Sequence, residues 1–295
     1  MLKGLNPQQI EAVIEEGNVL LTACPGSGKT RALTYKIAYE LERLTNSKKI
    51  IIAVTFTNRA ADEIKKRIRE LNADDTNLWA GTIHSFCLEW ILRPYMCYLD
   101  ELKNGFSISD EYNSENLMSE LKKTYGLNFW DSVSTKYLPN GEKEEVVYRE
   151  LLDEYHETLA SKKLIDFDQI LHYAHQLILT YPKISEILKN MFHLICVDEY
   201  QDTQQLQYAI LAKIMKGASG DCKMFFVGDS DQAIYGSLGG VAKELEVINN
   251  EFGVVFTGKE LSGNYRSNQQ IIDYYRNFQT TNIDIKALGT NANDG

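Results

Sequence analysis

The 295-residue chain has no excess of positive charge, no paired-cysteine framework and no long apolar run. Its 31 Lys and Arg stand against 41 Asp and Glu, a net charge of −10. That balance predicts solubility and gives no support for broad electrostatic wrapping of nucleic acid, although a local basic groove stays open. The densest basic cluster, Lys65-Lys66-Arg67-Ile68-Arg69, reads at least as well as a solvated helix face as it does a DNA contact. The cysteines, at 24, 87, 97, 196 and 222, are odd in number and never spaced C-x-x-C. This argues against a disulfide framework or a zinc site and fits a reducing compartment. His172 and His175 lie three apart on a helical stretch with no Cys or carboxylate pattern beside them, so packing is favoured over a metal pair. No stretch approaches 18 apolar residues, and the N-terminus lacks a basic region followed by an apolar run. Neither a membrane span nor a secretion signal is read, and a cytoplasmic location is expected. Internal repeats and low-complexity tracts are also missing.

What is present is an ordinary globular composition, 44% hydrophobic and 24% charged, in a chain long enough for one or two domains with a sizeable core. Residues 18–23 read as a strand, followed by a Gly/Pro turn and a helix from about Lys29 to Leu44. Ile50 to Phe56 is a second strand leading into a helix from Asn58 to about Leu71. Leu78–Thr82 is a short strand, and His84–Leu92 a helix. This alternation marks a parallel sheet with crossover helices. It stops at Arg93, after which amphipathic stretches such as Glu145–Ala160 and Phe167–Leu179 predict a mainly helical insertion, with a turn at Leu138-Pro139-Asn140-Gly141. Strands resume at 193–198 and 223–227. The predicted fold is therefore α/β, with a discontinuous sheet domain over 1–92 and 190–278 and an insertion over 93–189.

Two segments carry chemistry. Ala23-Cys24-Pro25-Gly26-Ser27-Gly28-Lys29-Thr30 matches a phosphate-loop pattern, except that Ala23 takes the place of the first glycine. Gly26 and Gly28 let backbone N–H groups turn toward phosphate oxygens. Lys29 can reach the β- and γ-phosphates, and the Thr30 hydroxyl can ligate Mg²⁺. The following helix adds its positive N-terminal end. The second segment, Leu194-Ile195-Cys196-Val197-Asp198-Glu199, drives an apolar strand into two carboxylates at its carboxyl end, where open α/β sheets bind ligands. Asp198 can support Mg²⁺ and Glu199 can deprotonate a water. Either segment alone has a bland reading, a glycine turn or a solvated strand end. Together they specify an NTPase in which Asp198 supports the metal and Glu199 serves as general base.

At this point the chain resembles the UvrD/Rep/PcrA-type superfamily 1 DNA helicases, through ordered segments over nearly its whole length. Leu5-Asn6-Pro7-Gln8-Gln9 is similar to the family's adenine-reading motif, which implies that Gln9 contacts the base. Thr55-Phe56-Thr57-Asn58-Arg59-Ala60-Ala61 and Gly81-Thr82-Ile83-His84-Ser85-Phe86 resemble its two single-strand DNA motifs. Asp166-Phe167-Asp168 is similar to a segment near the end of its insertion. Asp198-Glu199-Tyr200-Gln201-Asp202-Thr203 is its Walker B tract almost unchanged, with Gln201 and Asp202 in place to relay nucleotide state. Gly228-Asp229-Ser230-Asp231-Gln232-Ala233-Ile234-Tyr235 and Asn264-Tyr265-Arg266-Ser267 look like its next two motifs. The resemblance implies a RecA-like P-loop NTPase lobe, and an ATP-dependent helicase or translocase of 3′-to-5′ polarity on single-stranded or partly duplex DNA.

The residues agree with that implication on physical grounds. Gln232 can sense the γ-phosphate, Tyr265 can stack on adenine, and Arg266 can neutralise developing phosphate charge. Arg31 can approach the nucleotide or make a surface ion pair. Phe56, at a strand's carboxyl end, can stack a base or be buried as core. Thr57, Asn58, Thr82 and His84 can hydrogen-bond phosphates without sequence preference. Tyr235 can stack or pack.

The chain also departs from the family pattern. Cys24 replaces a common glycine. Ser237 and Leu238 stand where the family has an aromatic and an arginine, which predicts weaker or differently organised single-strand binding. Residues 279–295 read as the start of a second RecA-like lobe whose further motifs are not in this chain, so ATP–Mg²⁺ binding with little hydrolysis or unwinding is expected of it alone. An alternative is a non-motor ATP- and single-strand-binding module completed by a partner. A small-molecule kinase on the same loop explains neither Gln9 nor Phe56 nor Asn264–Ser267. The pattern is compatible with repair, replication restart, recombination or phage defence, and with a protein partner from any of them.

Overall fold

The computed structural model describes residues 2–44, 47–217, 220–232, 240–279, 281 and 283–289. Tyr235, Ser237 and Leu238 lie outside the described residues, as does 290–295 of the expected second-lobe segment. The chain divides into two compact units. The first comprises Met1–Ile83, Glu186–Gln204 and Ile214–Gly295, and the second His84–Ser185 and Gln205–Lys213.

In the first unit, helix α1 (Pro7–Ile14) precedes strand β1 (Asn18–Ala23), helix α2 (Lys29–Arg43), β2 (Ile50–Thr55), α3 (Asn58–Glu70) and β3 (Leu78–Thr82). After the insertion come β4 (Phe192–Asp198), β5 (Lys223–Gly228) and β6 (Phe256–Leu261). The six strands form one sheet in the order β3-β2-β4-β5-β1-β6, every pair parallel. Because all run one way, Ala23, Thr55, Thr82, Asp198 and Gly228 end on a single edge of the sheet, where the loops carrying polar residues emerge.

The central strands are nearly continuous apolar runs because both of their faces are covered. On one face Val19, Leu21, Ala53, Cys196 and Val227 pack against Leu33 and Ile37 of α2 and Ile64 and Ile68 of α3. On the other, Phe226 stacks on Phe256 at 5.6 Å and meets Phe252 edge-on at 5.5 Å. Strand β6 has no counterpart among the predicted elements. It is an edge strand paired only with β1, and Gly258, Lys259 and Glu260 break its apolar pattern because one side is uncovered.

The basic cluster lies on α3 and is spent on local ion pairs: Arg67–Glu63 and Arg69–Asp75, each 2.8 Å, and Lys66–Glu70 at 3.8 Å.

The second unit is mainly helical. Helices Glu111–Thr124, Arg149–Ser161 and Phe167–Thr180 supply its regular structure, and Leu121, Leu151, Leu152, Tyr155 and Leu159 form a small core. Residues 84–92 are not one α-helix. An α-turn over Ile83–Phe86 opens into a π-helix over Cys87–Leu92, whose wider turn buries Cys87, Ile91 and Leu92. A two-residue parallel pairing joins Ser107–Ile108 to Leu164–Ile165. The turn at Leu138–Gly141 closes by Gly141 N–H donating to Leu138 O at 2.9 Å. His172 stacks on Tyr137 with ring centroids 3.9 Å apart.

Candidate nucleotide site

The loop after β1 is folded onto itself. Ser27 donates to Cys24 O through both its N–H (3.2 Å) and its hydroxyl (2.7 Å), and Cys24 N–H donates to Leu261 O at 3.1 Å. Gly26 and Gly28 hold φ of 74° and 84°, a region that side chains with a Cβ rarely enter. Space excludes a Cβ as well. One on Gly26 would meet Asn264 Oδ1 at 2.7 Å, and one on Gly28 would meet Gln9 Nε2 at 2.8 Å. Cys24 is buried, and burial followed by the charge of Asp229 pushes its thiol up to about 11.

Gly28 starts α2 and aims Lys29 at the ends of β4 and β5. Its Nζ lies 3.1 Å from Glu199 Oε2 and 4.0 Å from Asp229 Oδ2, and donates to Gln232 Oε1 at 3.4 Å. Glu199 is one of three non-glycine residues with positive φ among the described residues, at 51°. Such a conformation costs on the order of 1–3 kcal/mol and persists only where its surroundings impose it. Here it turns the carboxylate back toward Lys29.

Four carboxylates gather around this lysine, and their protonation reflects the crowding. Burial, then the charge of Glu199, raises Asp198 to about 7. Burial raises Asp229 to about 6, with Lys29 partly offsetting it. Asp202 is also raised, by burial and then by Glu199. Asp202 Oδ1 and Asp229 Oδ2 are buried without a hydrogen-bond partner. Hard oxygen donors in unrelieved repulsion suit a hard divalent cation. No group of three or more His, Cys, Asp or Glu among the described residues could hold an ion by itself.

Gln9 joins the N-terminal motif to the loop. Gln9 Oε1 accepts from Asn6 N–H at 3.1 Å and Gln9 Nε2 donates to Ser27 O at 3.0 Å, so both ends of its amide are engaged within the protein. Its neighbours reach Tyr265 of the motif at 264–267 and Ser262 just before it. Asn6 Nδ2 donates to Tyr265 OH at 2.8 Å and Gln8 Nε2 to Ser262 Oγ at 3.0 Å. The signal for Gln9 was local: Asn at the N-cap with Gln three residues on is a capping box. Asn264 Oδ1 accepts from the N–H groups of Arg266 and Ser267, both at 2.8 Å, folding that motif into a turn against Gly26. Tyr265 N–H donates to Gly26 O at 2.9 Å. Tyr265, Arg266 and Arg31 have exposed side chains beside the loop.

Of the residues assigned to DNA, Phe56 follows β2 and is 54% exposed. Thr57 caps α3, its hydroxyl accepting from Ala60 N–H at 3.1 Å, and Asn58 is exposed. Thr82 ends β3 on the same edge of the sheet. His84 belongs to the second unit, where its ring meets the exposed Phe167 edge-on at 5.6 Å. Sequence marks Phe167 only as part of the Asp166-Phe167-Asp168 segment and gives it no role of its own. Its exposure was the informative property, and the helical pattern around it did not reveal that.

Residues 5–136 and 128–253 match the family model described as the UvrD/REP helicase N-terminal domain. The ATP-dependent DNA helicase UvrD1 of Mycobacterium tuberculosis is 31% identical over 300 residues, covering 92% of this chain and 38% of its own length. DNA helicase II of Salmonella typhimurium is 34% identical over 292 residues, covering 92% and 40%. The ATP-dependent DNA helicase PcrA of Staphylococcus aureus is 30% identical over 312 residues, covering 98% and 42%. The chain thus spans about two fifths of the length of these relatives. A solved structure of Pif1 helicases covers 95% of this chain and 50% of its own at 16% identity, with a TM-score of 0.37, too slight a likeness to bear on the fold. No described helix is long and apolar enough to cross a membrane.

Proposed function

Since this chain belongs to the UvrD/REP helicase family by its N-terminal domain, we propose that it is the ATP-binding part of a DNA motor that moves 3′ to 5′ along single strands. The observation that carries this reading is Lys29 held between Glu199, Asp229 and Gln232 at the mouth of a glycine-lined loop. Its RecA-like lobe is the discontinuous sheet domain over 1–92 and 190–278, with 93–189 as the helical insertion and 279–295 leading toward a second lobe.

The N–H groups of Gly26 and Gly28, with those of the first turn of α2, cradle the phosphates, and Lys29 leaves the carboxylates to meet the β- and γ-phosphates. Thr30 and Asp198 hold Mg²⁺, which when bound neutralises phosphate charge. Glu199 takes the proton of the attacking water. Gln232, already within reach of Lys29, contacts the γ-phosphate. Tyr265 flanks the adenine, Gln9, set against the loop, contacts the base, and Arg266 and Arg31 approach the phosphates from the exposed side. Phe56 offers a stacking surface, and Thr57, Asn58 and Thr82 offer phosphate contacts on the same edge of the sheet. The same motor serves repair, recombination or defence according to the partner that loads it.

Titration of the 295-residue chain with a fluorescent ATP analogue and Mg²⁺ tests the nucleotide site, and titration with labelled oligonucleotides tests the DNA path. Phe56→Ala should weaken single-strand binding by about 1–3 kcal/mol and leave nucleotide binding unchanged. A chain that binds no nucleotide, or an alanine variant that keeps full single-strand affinity, overturns the corresponding half of the reading.

A further inference from the structure

Gln201 is buried, 2% exposed, and its amide is used at both ends. Asp229 N–H donates to Gln201 Oε1 at 3.0 Å, and Gln201 Nε2 donates to Glu199 Oε2 at 2.9 Å. A backbone N–H can only donate, so the amide oxygen must face Asp229 and the NH₂ must face Glu199. The orientation is thus dictated by the partners.

The surroundings leave this side chain no other place. A Cβ on Gly228 would lie 2.2 Å from Gln201 Oε1 and 2.6 Å from Tyr200 Cδ1, so the end of β5 must be glycine for the amide to pass. Asp229 begins the turn that carries Gln232, through Asp231 N–H donating to Asp229 Oδ1 at 3.1 Å and Gln232 N–H donating to Asp229 O at 3.0 Å. One buried amide therefore joins the carboxylate at the end of β4 to the turn after β5.

We infer that Gln201 is a positioning residue that sets the Glu199 carboxylate for water attack and ties its position to the Gln232 turn. This inference rests on the proposed ATPase reading. Glu199 Oε2 is shared by Lys29 and Gln201. When Lys29 turns to the phosphates, the Gln201 N–H remains as the contact that fixes that oxygen, directing Oε1 toward the nucleotide. A movement of Gln232 at the γ-phosphate displaces Asp229 N–H, and with it the amide that holds Glu199. Gln201 touches neither phosphate nor water in this account.

The test is single-turnover hydrolysis by the 295-residue chain, in excess over radiolabelled ATP with Mg²⁺ and followed long enough to read its slow turnover, alongside fluorescent-ATP binding. Gln201→Met removes both hydrogen bonds. Gln201→Glu keeps the shape and the acceptor for Asp229 N–H but loses the donor to Glu199. Both should slow hydrolysis about tenfold or more, while the nucleotide Kd stays within about twofold and the melting temperature of Gln201→Glu stays near that of the wild type. Wild-type hydrolysis by Gln201→Glu overturns the inference, because the donor is then dispensable. So does a loss of nucleotide affinity matching the loss of rate, which marks a role in holding the fold. A wild-type chain that binds no nucleotide is a different failure: it removes the ATPase reading itself and this inference with it.

Discussion

Lys29 and Lys36 lie two turns apart on α2, and each meets a glutamate, Glu199 at 3.1 Å and Glu40 at 2.8 Å. Around Lys36 each charge has an opposite partner at close range, although Glu40 Oε1, 2.8 Å from Lys36 Nζ, is a buried oxygen without a hydrogen bond. Lys36 is 0% exposed and also donates to Glu15 O at 2.6 Å, while Glu40 Oε2 meets His193 Nε2 at 2.7 Å. Burial works against the charge of Glu40, but the His193 contact and Lys36 outweigh it and bring its carboxyl down to about 2. Around Lys29 the opposite holds. Asp198 and Asp229 are raised to about 7 and 6, the reverse of the direction at Glu40. The same helix thus runs through a completed ion network and an incomplete one. The incomplete one faces the phosphate loop, where a substrate and a cation can supply the missing charge.

The comparison breaks most readily at Lys36. Glu40→Ala leaves a fully buried ammonium without its partner and should cost about 3–5 kcal/mol of stability, measured by urea unfolding. A loss below about 1 kcal/mol would mean that water reaches Lys36 and that the network is not closed. Lys29→Met is the matching change at the other end. Unfolding should move by no more than about 1 kcal/mol, because the close partner of Lys29, Glu199, is partly open to solvent. Affinity for ATP with Mg²⁺ should fall about 10- to 100-fold, the worth of a charge-assisted phosphate contact. Equal destabilisation by the two variants would erase the distinction.

The sheet was legible because central parallel strands, covered on both faces, read as apolar runs such as Ile50–Val54 and Leu194–Val197. Strand β6 was not, since an edge strand tolerates Gly258-Lys259-Glu260. The phosphate loop and the Asp198-Glu199 pair were legible because their chemistry is contiguous in sequence. The engagements of Gln201 and Gln9 were not. Gln201 meets a backbone N–H 28 residues away and Gln9 a carbonyl 18 residues away, and nothing in the local pattern selects those partners. The positive φ of Glu199 is hidden for a related reason: a glutamate in that conformation is imposed by its surroundings, and its own preference does not predict it.

The gentlest test of the comparison uses acid, because the two lysine sites respond to pH with opposite sign. Glu40 has a folded-state value of about 2 against an ordinary 4.5. Its contribution is therefore present above pH 4.5 and lost as pH falls through 2. Asp229 has a folded-state value of about 6 against an ordinary 3.8, so its contribution is full below pH 3.8 and lost as pH rises through 6. Measured without divalent cations and referred to Asp229→Asn, wild-type stability should rise by roughly 1–3 kcal/mol as pH falls from about 6.5 to 4. Referred to Glu40→Gln, it should hold through that range and fall only below pH 4.5. Added Mg²⁺ should shrink the Asp229 effect, since a cation relieves the repulsion that raises its pKa, and should leave the Glu40 effect alone. If both differences ran in the same direction with pH, the carboxylates at Lys29 would already be as well matched as those at Lys36, and the case for a charge-deficient site at the phosphate loop would fail.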